Sequence, residues 1–295
     1  LKRARAPMWF CTSQKGERNY CSSRPCKGGA GSDEEELSCG DIEDDCVDND
    51  FVDLPRKDFT YTNGESYDGT WKDDKRHGAG VHSWPNGSRY KGEFDKDQAH
   101  GHGRLDFPTG GVYEGQFREH RAHGHGSYTH HGQASYQGQW EDDRQHGEGV
   151  EVWPDGTRFE GQHVGGLKNG RGCLIWADGS SYTGSFEGGA LHGEGVYRWA
   201  DGKSYIGQWD SGSMSGAGCF TWPDGRVYIG QYLEGRKDGH GELRWPNGER
   251  YEGQWASGKQ HGAGRLVSGQ GHQSAGDWEE GQLVVNGASP PSLAH

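Results

Sequence analysis

A chain of 295 residues with a formal net charge of −13 and 29% hydrophobic residues lacks the aliphatic content for a conventional layered core. Glycine, at 54 copies, is the commonest residue and aromatics supply 12%, so burial falls to flat rings. The negative balance argues against nucleic acid as a partner, and no apolar run approaches the roughly 20 residues a helix needs to span a bilayer.

Residues 1–58 read as a disordered leader, basic and then acidic. Residues 1–27 hold seven Lys/Arg against one Glu, and residues 33–53 hold eleven Asp/Glu and no base. The basic part has the make-up of a transit peptide without an apolar secretory core, and the acidic part reads as a solvated linker. Opening on Leu1 rather than Met leads us to expect a fragment or a processed product. Five of the seven cysteines (Cys11, Cys21, Cys26, Cys39 and Cys46) lie here without a Cys-x-x-Cys pair, which disfavours zinc. The odd number and the lack of a secreted framework point to a reducing, cytoplasmic compartment.

From Tyr67 the sequence repeats every 23 residues. Tyr67, Tyr90, Tyr113, Tyr136, Phe159, Tyr182, Tyr205, Tyr228 and Tyr251 are the anchors of nine full units, 67–273, and a partial unit keeps Gly276 and Trp278. Each unit reads Tyr-x-Gly-x-Trp, then His-Gly-x-Gly, then Trp-Pro-Asp-Gly, with substitutions. A half unit, Phe59–Ser66, precedes the first anchor, so the array spans 59–281 and residues 282–295 read as a flexible tail. Such an array is built to present a surface, which favours binding over catalysis.

Anchor, glycine and aromatic alternate with period two, as in Tyr67/Gly69/Trp71, and the second segment does the same, as in Gly218/Phe220/Trp222. Each unit is therefore two strands sharing an aromatic face. Dipeptides such as Asn86-Gly87 and Asp224-Gly225 supply the positive φ of tight hairpin turns, and the constant glycines leave room for a neighbouring ring to lie across the backbone. The expected fold is all-β: an elongated, twisted, single antiparallel meander whose eighteen repeat strands, at about 4.8 Å each, run on the order of 85 Å.

These units resemble the MORN (membrane occupation and recognition nexus) repeat family, whose units read Tyr-x-Gly-x-Trp-x-x-Gly-x-x-His-Gly-x-Gly. The resemblance covers residues 59–281 and implies tandem hairpin sheets in a scaffold that holds a helix, an extended segment or a second copy of itself. Relatives of this kind serve in ciliary radial spokes, protist cytoskeletal rings and membrane-bridging junctophilins. It also implies two other roles: weak binding of phosphoinositides or other acidic phospholipid, and a regulatory region of a larger enzyme such as a phosphatidylinositol phosphate kinase. Unit 3, with His130-His131-Gly132, and unit 5, with Phe159, His163 and Asn169, depart from the pattern and are expected to be looser or bent.

No catalytic, cofactor-binding or metal-binding set emerges. The chain has no phosphate-cradling Gly-rich loop, no Gly-x-Ser-x-Gly and no His-Glu-x-x-His. His77, His100, His123, His146, His192 and His261 recur at one repeat position, but equivalent positions two strands apart stand roughly 9–10 Å from one another, too far to share a zinc. They read as loop histidines with local hydrogen bonds, and His123, His125, His130 and His131 form the one cluster to test for adventitious metal. The face opposite the rings is polar at both ends of the array and apolar in the middle, through Val150, Val152, Cys173, Ile175, Val196, Ile206, Cys219 and Ile229. That patch reads equally as an interface and as strand-favouring β-branched residues. The expectation is a non-enzymatic scaffold without cofactors, beside cytoskeleton, cilium or membrane.

Overall fold

The computed structural model describes residues 54–130 and 134–284. The readings made of the leader cysteines and of His131 lie outside the described residues. Within them the chain forms twenty-one strands, β1 to β21, and each pairs antiparallel with its neighbours in sequence to give one open meander. Strand β1 (Arg56–Thr60) starts ahead of the expected boundary at Phe59 and pairs with β2 (Ser66–Lys72). At the other end β21 (Gln282–Leu283) returns along Trp278 and Glu279, so the first residues assigned to the tail belong to the sheet.

Two turns alternate, and neither is quite the one the sequence suggested. Between β2 and β3 (Lys75–Ser83), Asp73 and Asp74 both adopt positive φ (51° and 58°), the geometry of a two-residue hairpin turn that follows the twist of its strands. Equivalent pairs run from Lys96-Asp97 to Glu280-Gly281. The Trp-Pro-Asn/Asp-Gly segment is instead a five-residue connection in which Gly87 alone is left-handed (φ 92°). There Trp84 N–H donates to Ser88 O at 3.0 Å, Gly87 N–H donates to Trp84 O at 3.0 Å, and Asn86 Oδ1 accepts from Ser88 N–H at 2.9 Å. The Asn or Asp stays right-handed and works as an acceptor.

The core is a zigzag of rings. Tyr182 meets Phe186 of its own unit edge-on at 5.2 Å and Trp209 of the next at 5.5 Å, and this T-shaped pattern runs unbroken from Tyr67 to Trp278. Every anchor tyrosine hydroxyl donates to the carbonyl three residues on, at 2.9 to 3.1 Å, as Tyr182 does to Ser185. The paired glycines lie beneath the rings, as their constancy along the chain predicts.

The two glycines of His-Gly-x-Gly do different work. The second sits under the anchor ring, whereas the first is left-handed, as at Gly216 (φ 59°), and bulges the strand. Gln208 Oε1 caps that bulge by accepting from Ala217 N–H at 3.0 Å, and Gln or Glu fills the same role in six other units. Neighbouring hairpins are also tied at their tips: Gly189 N–H donates to Lys168 O at 2.9 Å, and the same bond recurs in each later unit.

Unit 5, expected to be looser, is fully packed. Phe159 and His163 are 0% and 1% exposed, because Phe fits the anchor site without its hydroxyl and the imidazole takes the next ring position. In unit 3 His130 still pairs with Gly111 at the end of its strand.

Candidate protein-docking face

On the face away from the rings, cross-strand pairing sets side chains in rows. One row runs Glu160, Cys173, Thr183, Val196, Ile206, Cys219, Ile229, Glu242 over eight consecutive strands. These strands are β10 (Arg158–Val164), β11 (Leu167–Ile175), β12 (Ser181–Glu187), β13 (Ala190–Arg198), β14 (Ser204–Asp210), β15 (Ser213–Thr221), β16 (Val227–Leu233) and β17 (Arg236–Arg244). Five of the eight predicted patch residues thus fall in one line, and Thr183, passed over as polar, stands in it between Cys173 and Val196.

Ile206, at the middle, is 51% exposed; Val196, Cys219 and Ile229 are half-buried. Cys173 is 8% exposed, so it does not belong to the accessible patch; Thr183 Oγ1 lies 3.6 Å from its sulfur. Ile175 stands in the adjoining row, beside Ser181. Val150 and Val152 are separated from the rest by β10, whose Glu160 and Arg158 occupy the intervening positions and pair with each other at 2.8 Å. The accessible part of the patch outlined from the sequence is therefore a stripe on β12–β16 and a separate pair of valines.

The six recurring histidines lie on strands rather than loops. His77 Nδ1 is 3.3 Å from Asp95, His146 Nδ1 is 3.1 Å from Glu141, and His192 stands between Glu187 (3.2 Å) and Asp210 (3.7 Å). Among the described residues no three His, Cys, Asp or Glu side chains converge on a point where one ion could sit. No helix among them is long and apolar enough to cross a membrane.

Titratable groups on the ring face that were not singled out from sequence as buried include His82, which is 5% exposed, His163 and Lys237. His163 has no hydrogen-bond partner for either ring nitrogen, and burial, with Lys168 nearby, lowers its pKa to about 4. Lys237 Nζ stands 5.0 Å from the Trp222 ring, 5.0 Å from Tyr228 and 4.7 Å from Trp255, and burial lowers its pKa to about 8, helped by the charge of Arg226. The signal available was position: the ninth residue after an anchor is Leu191 or Met214 in neighbouring units and packs on the same rings.

Comparison with known proteins agrees with this architecture. The MORN repeat matches at residues 67–89, 90–112, 113–131, 136–158, 159–181, 182–204, 205–225, 228–250 and 251–273, and the chain belongs to the MORN repeat family. It is a nine-repeat MORN scaffold region. No curated protein matches it. Among solved structures it is similar to the TCP10 domain of Danio rerio CPAP (14% identity, TM-score 0.37, covering 75% of this chain and 100% of that one). It is likewise similar to the G-box domain of the microcephaly protein CPAP, at 14% identity and TM-score 0.36, covering 67% of this chain and 97% of that one. A third is the SAS-4 TCP domain of Drosophila melanogaster in complex with a proline-rich motif of Ana2 (12% identity, TM-score 0.17, 81% and 97% covered). None of these scores reaches that of a shared global fold.

Proposed function

We propose that this chain is a non-enzymatic scaffold that docks a protein through the outward stripe on β12–β16, in the cytoplasm beside cytoskeleton or membrane. The observation that supports this reading most directly is Ile206, more than half exposed at the centre of an apolar row on a strongly charged chain. An apolar row bounded by Glu160 and Glu242 is the pattern of an interface with an apolar centre and a polar rim. On the other face the anchor rings are buried, with Trp153, Trp176, Trp199, Trp222 and Trp245 partly buried against them.

The test is the pair Ile206→Asp plus Ile229→Asp. Proximity labelling in the native cell, with wild type and variant side by side, identifies proteins that lose contact; these are then purified and titrated against both forms. Lost binding with an unchanged circular dichroism spectrum is expected, and equal affinity for the two forms would refute the reading.

A further inference from the structure

We infer that the occupant of this stripe is a second copy of the same chain, laid face to face about a twofold axis running along the row. The inference rests on the docking reading above and names its partner.

Glu194, Val196 and Arg198 alternate along one face of β13, with Val196 in the apolar row and the two charges one position to either side. Both charged residues are exposed. Among the described residues neither carboxylate nor guanidinium has an ion pair, whereas nine of the fifteen arginines there stand beside a carboxylate. A twofold axis along the row sends each strand onto its own counterpart and reverses it. Glu194 then meets Arg198 of the other copy, and Arg198 meets its Glu194, while Val196 faces Val196. The strand is self-complementary in charge.

The flanking strands obey the same symmetry. On β14 the face reads Ser204, Ile206, Gln208, on β15 Ala217, Cys219, Thr221, and on β16 Val227, Ile229, Gln231. Reversal places small or amide side chains opposite small or apolar ones and sets the exposed Ile206 against itself. No like-charged pair arises over these strands. The rows of Glu160 and Glu242 mark where the match ends, and the twist of each sheet carries the two faces apart beyond them.

The five strands β12–β16 at about 4.8 Å, covered for about 20 Å of their length, make a footprint of roughly 500 Å² per copy. That is somewhat below the roughly 800 Å² per partner of a standard stable complex, so the pair forms and dissociates with concentration. An isologous contact of this kind closes on itself and stops at two.

The test is the mass of the full chain by sedimentation equilibrium, in reducing buffer, from about 1 to 100 μM. Wild type is expected to rise from monomer toward dimer. Glu194→Arg alone and Arg198→Glu alone each place like charges across the axis, and each is expected to weaken dimerisation at least tenfold. An equimolar mixture of the two single variants is expected to recover the dimer, because each introduced charge then meets its opposite. A monomeric wild type at every concentration, or a mixture no better than its components, would overturn the inference. If that monomer still binds a purified protein in an Ile206-dependent way, the docking reading stands and self-pairing alone falls.

Discussion

The ring of Tyr182 lies across Gly184, with its Cζ 2.6 Å from where a Cβ on that glycine would stand, and the Cα of Gly195 on the next strand is as near. A methyl group there displaces the ring and the paired backbone together. Gly184→Ala is expected to cost about 1–3 kcal/mol through overpacking, and Gly184→Val more. Because neighbouring units can open separately, the cleanest measurement is hydrogen exchange, with protection lost in β12 and β13 and retained in β2 and β3.

Tyr182→Phe removes only the hydroxyl, which donates to Ser185 O at 3.0 Å with His192 O a longer alternative at 3.4 Å. The expected loss is about 1 kcal/mol, since Phe159 already fills the same site without that bond. A loss comparable with Gly184→Val would show that the hydroxyl does more than satisfy these carbonyls.

His163 makes the array acid-sensitive. Its pKa in the fold is about 4, below the ordinary value of 6.5, so the unfolded chain binds the proton first as pH falls. The stability of the neutral ring is complete above 6.5 and is lost progressively down to about 4, by roughly 2 kcal/mol at pH 5. His163→Phe is expected to flatten this part of the stability-pH curve in urea denaturation and to raise stability at every pH in the window. An unaltered slope would locate the acid response elsewhere.

Lys237 acts at the opposite end of the scale. Its pKa is lowered to about 8 from 10.5, so between those values the unfolded chain holds more protons and stability rises with pH. Below pH 8 the charged ammonium is buried among rings at a cost of up to about 3 kcal/mol. Lys237→Met, the residue at the matching place in the preceding unit, is expected to raise the melting temperature at pH 7 and to abolish the rise between pH 8 and 10. A lower melting temperature at pH 7 would mean that the rings hold the cation more strongly than burial disfavours it.

Asp142 adopts a left-handed conformation (φ 46°) in its hairpin turn, and its exposed carboxylate makes only long ion pairs, 3.6 Å to Arg121 and 3.9 Å to Arg118, of the solvated kind that contribute little. Asp142→Gly is expected to stabilise by about 0.5–1 kcal/mol in thermal melts. Asp143 differs, since its Oδ1 accepts from Ala122 N–H of the preceding hairpin at 2.8 Å, and removal is expected to destabilise.

Strand positions, the ring face and the meander were legible because period-two alternation and constant spacing leave one register. The left-handed Asp73-Asp74 turn was not, because Asp tolerates several turn geometries while Asn-Gly advertises itself. The same blindness hid the division of labour within His-Gly-x-Gly: absence of a side chain looks identical whether it admits a ring or a positive φ. On the outer face, rows came from register, and register rests on bulges at Gly216 and its equivalents that no pattern of apolar residues reveals. The order of strands sets Glu160 of β10 between Val150 and Cys173, and the alternation of Glu194, Val196 and Arg198 along β13 drew no notice beside its apolar member.

The tip-to-tip bonds described above, from Gly189 to Lys168 and onward, have a bearing on reach. Each hairpin is gripped by the one before it and grips the one after, through the same backbone atoms. Deleting or duplicating one whole block rejoins equivalent surfaces, with no contact left to redesign. Distance between the two ends is thereby adjustable in fixed steps of two strand widths, about 10 Å, while the docking stripe moves as a unit with the strands that bear it.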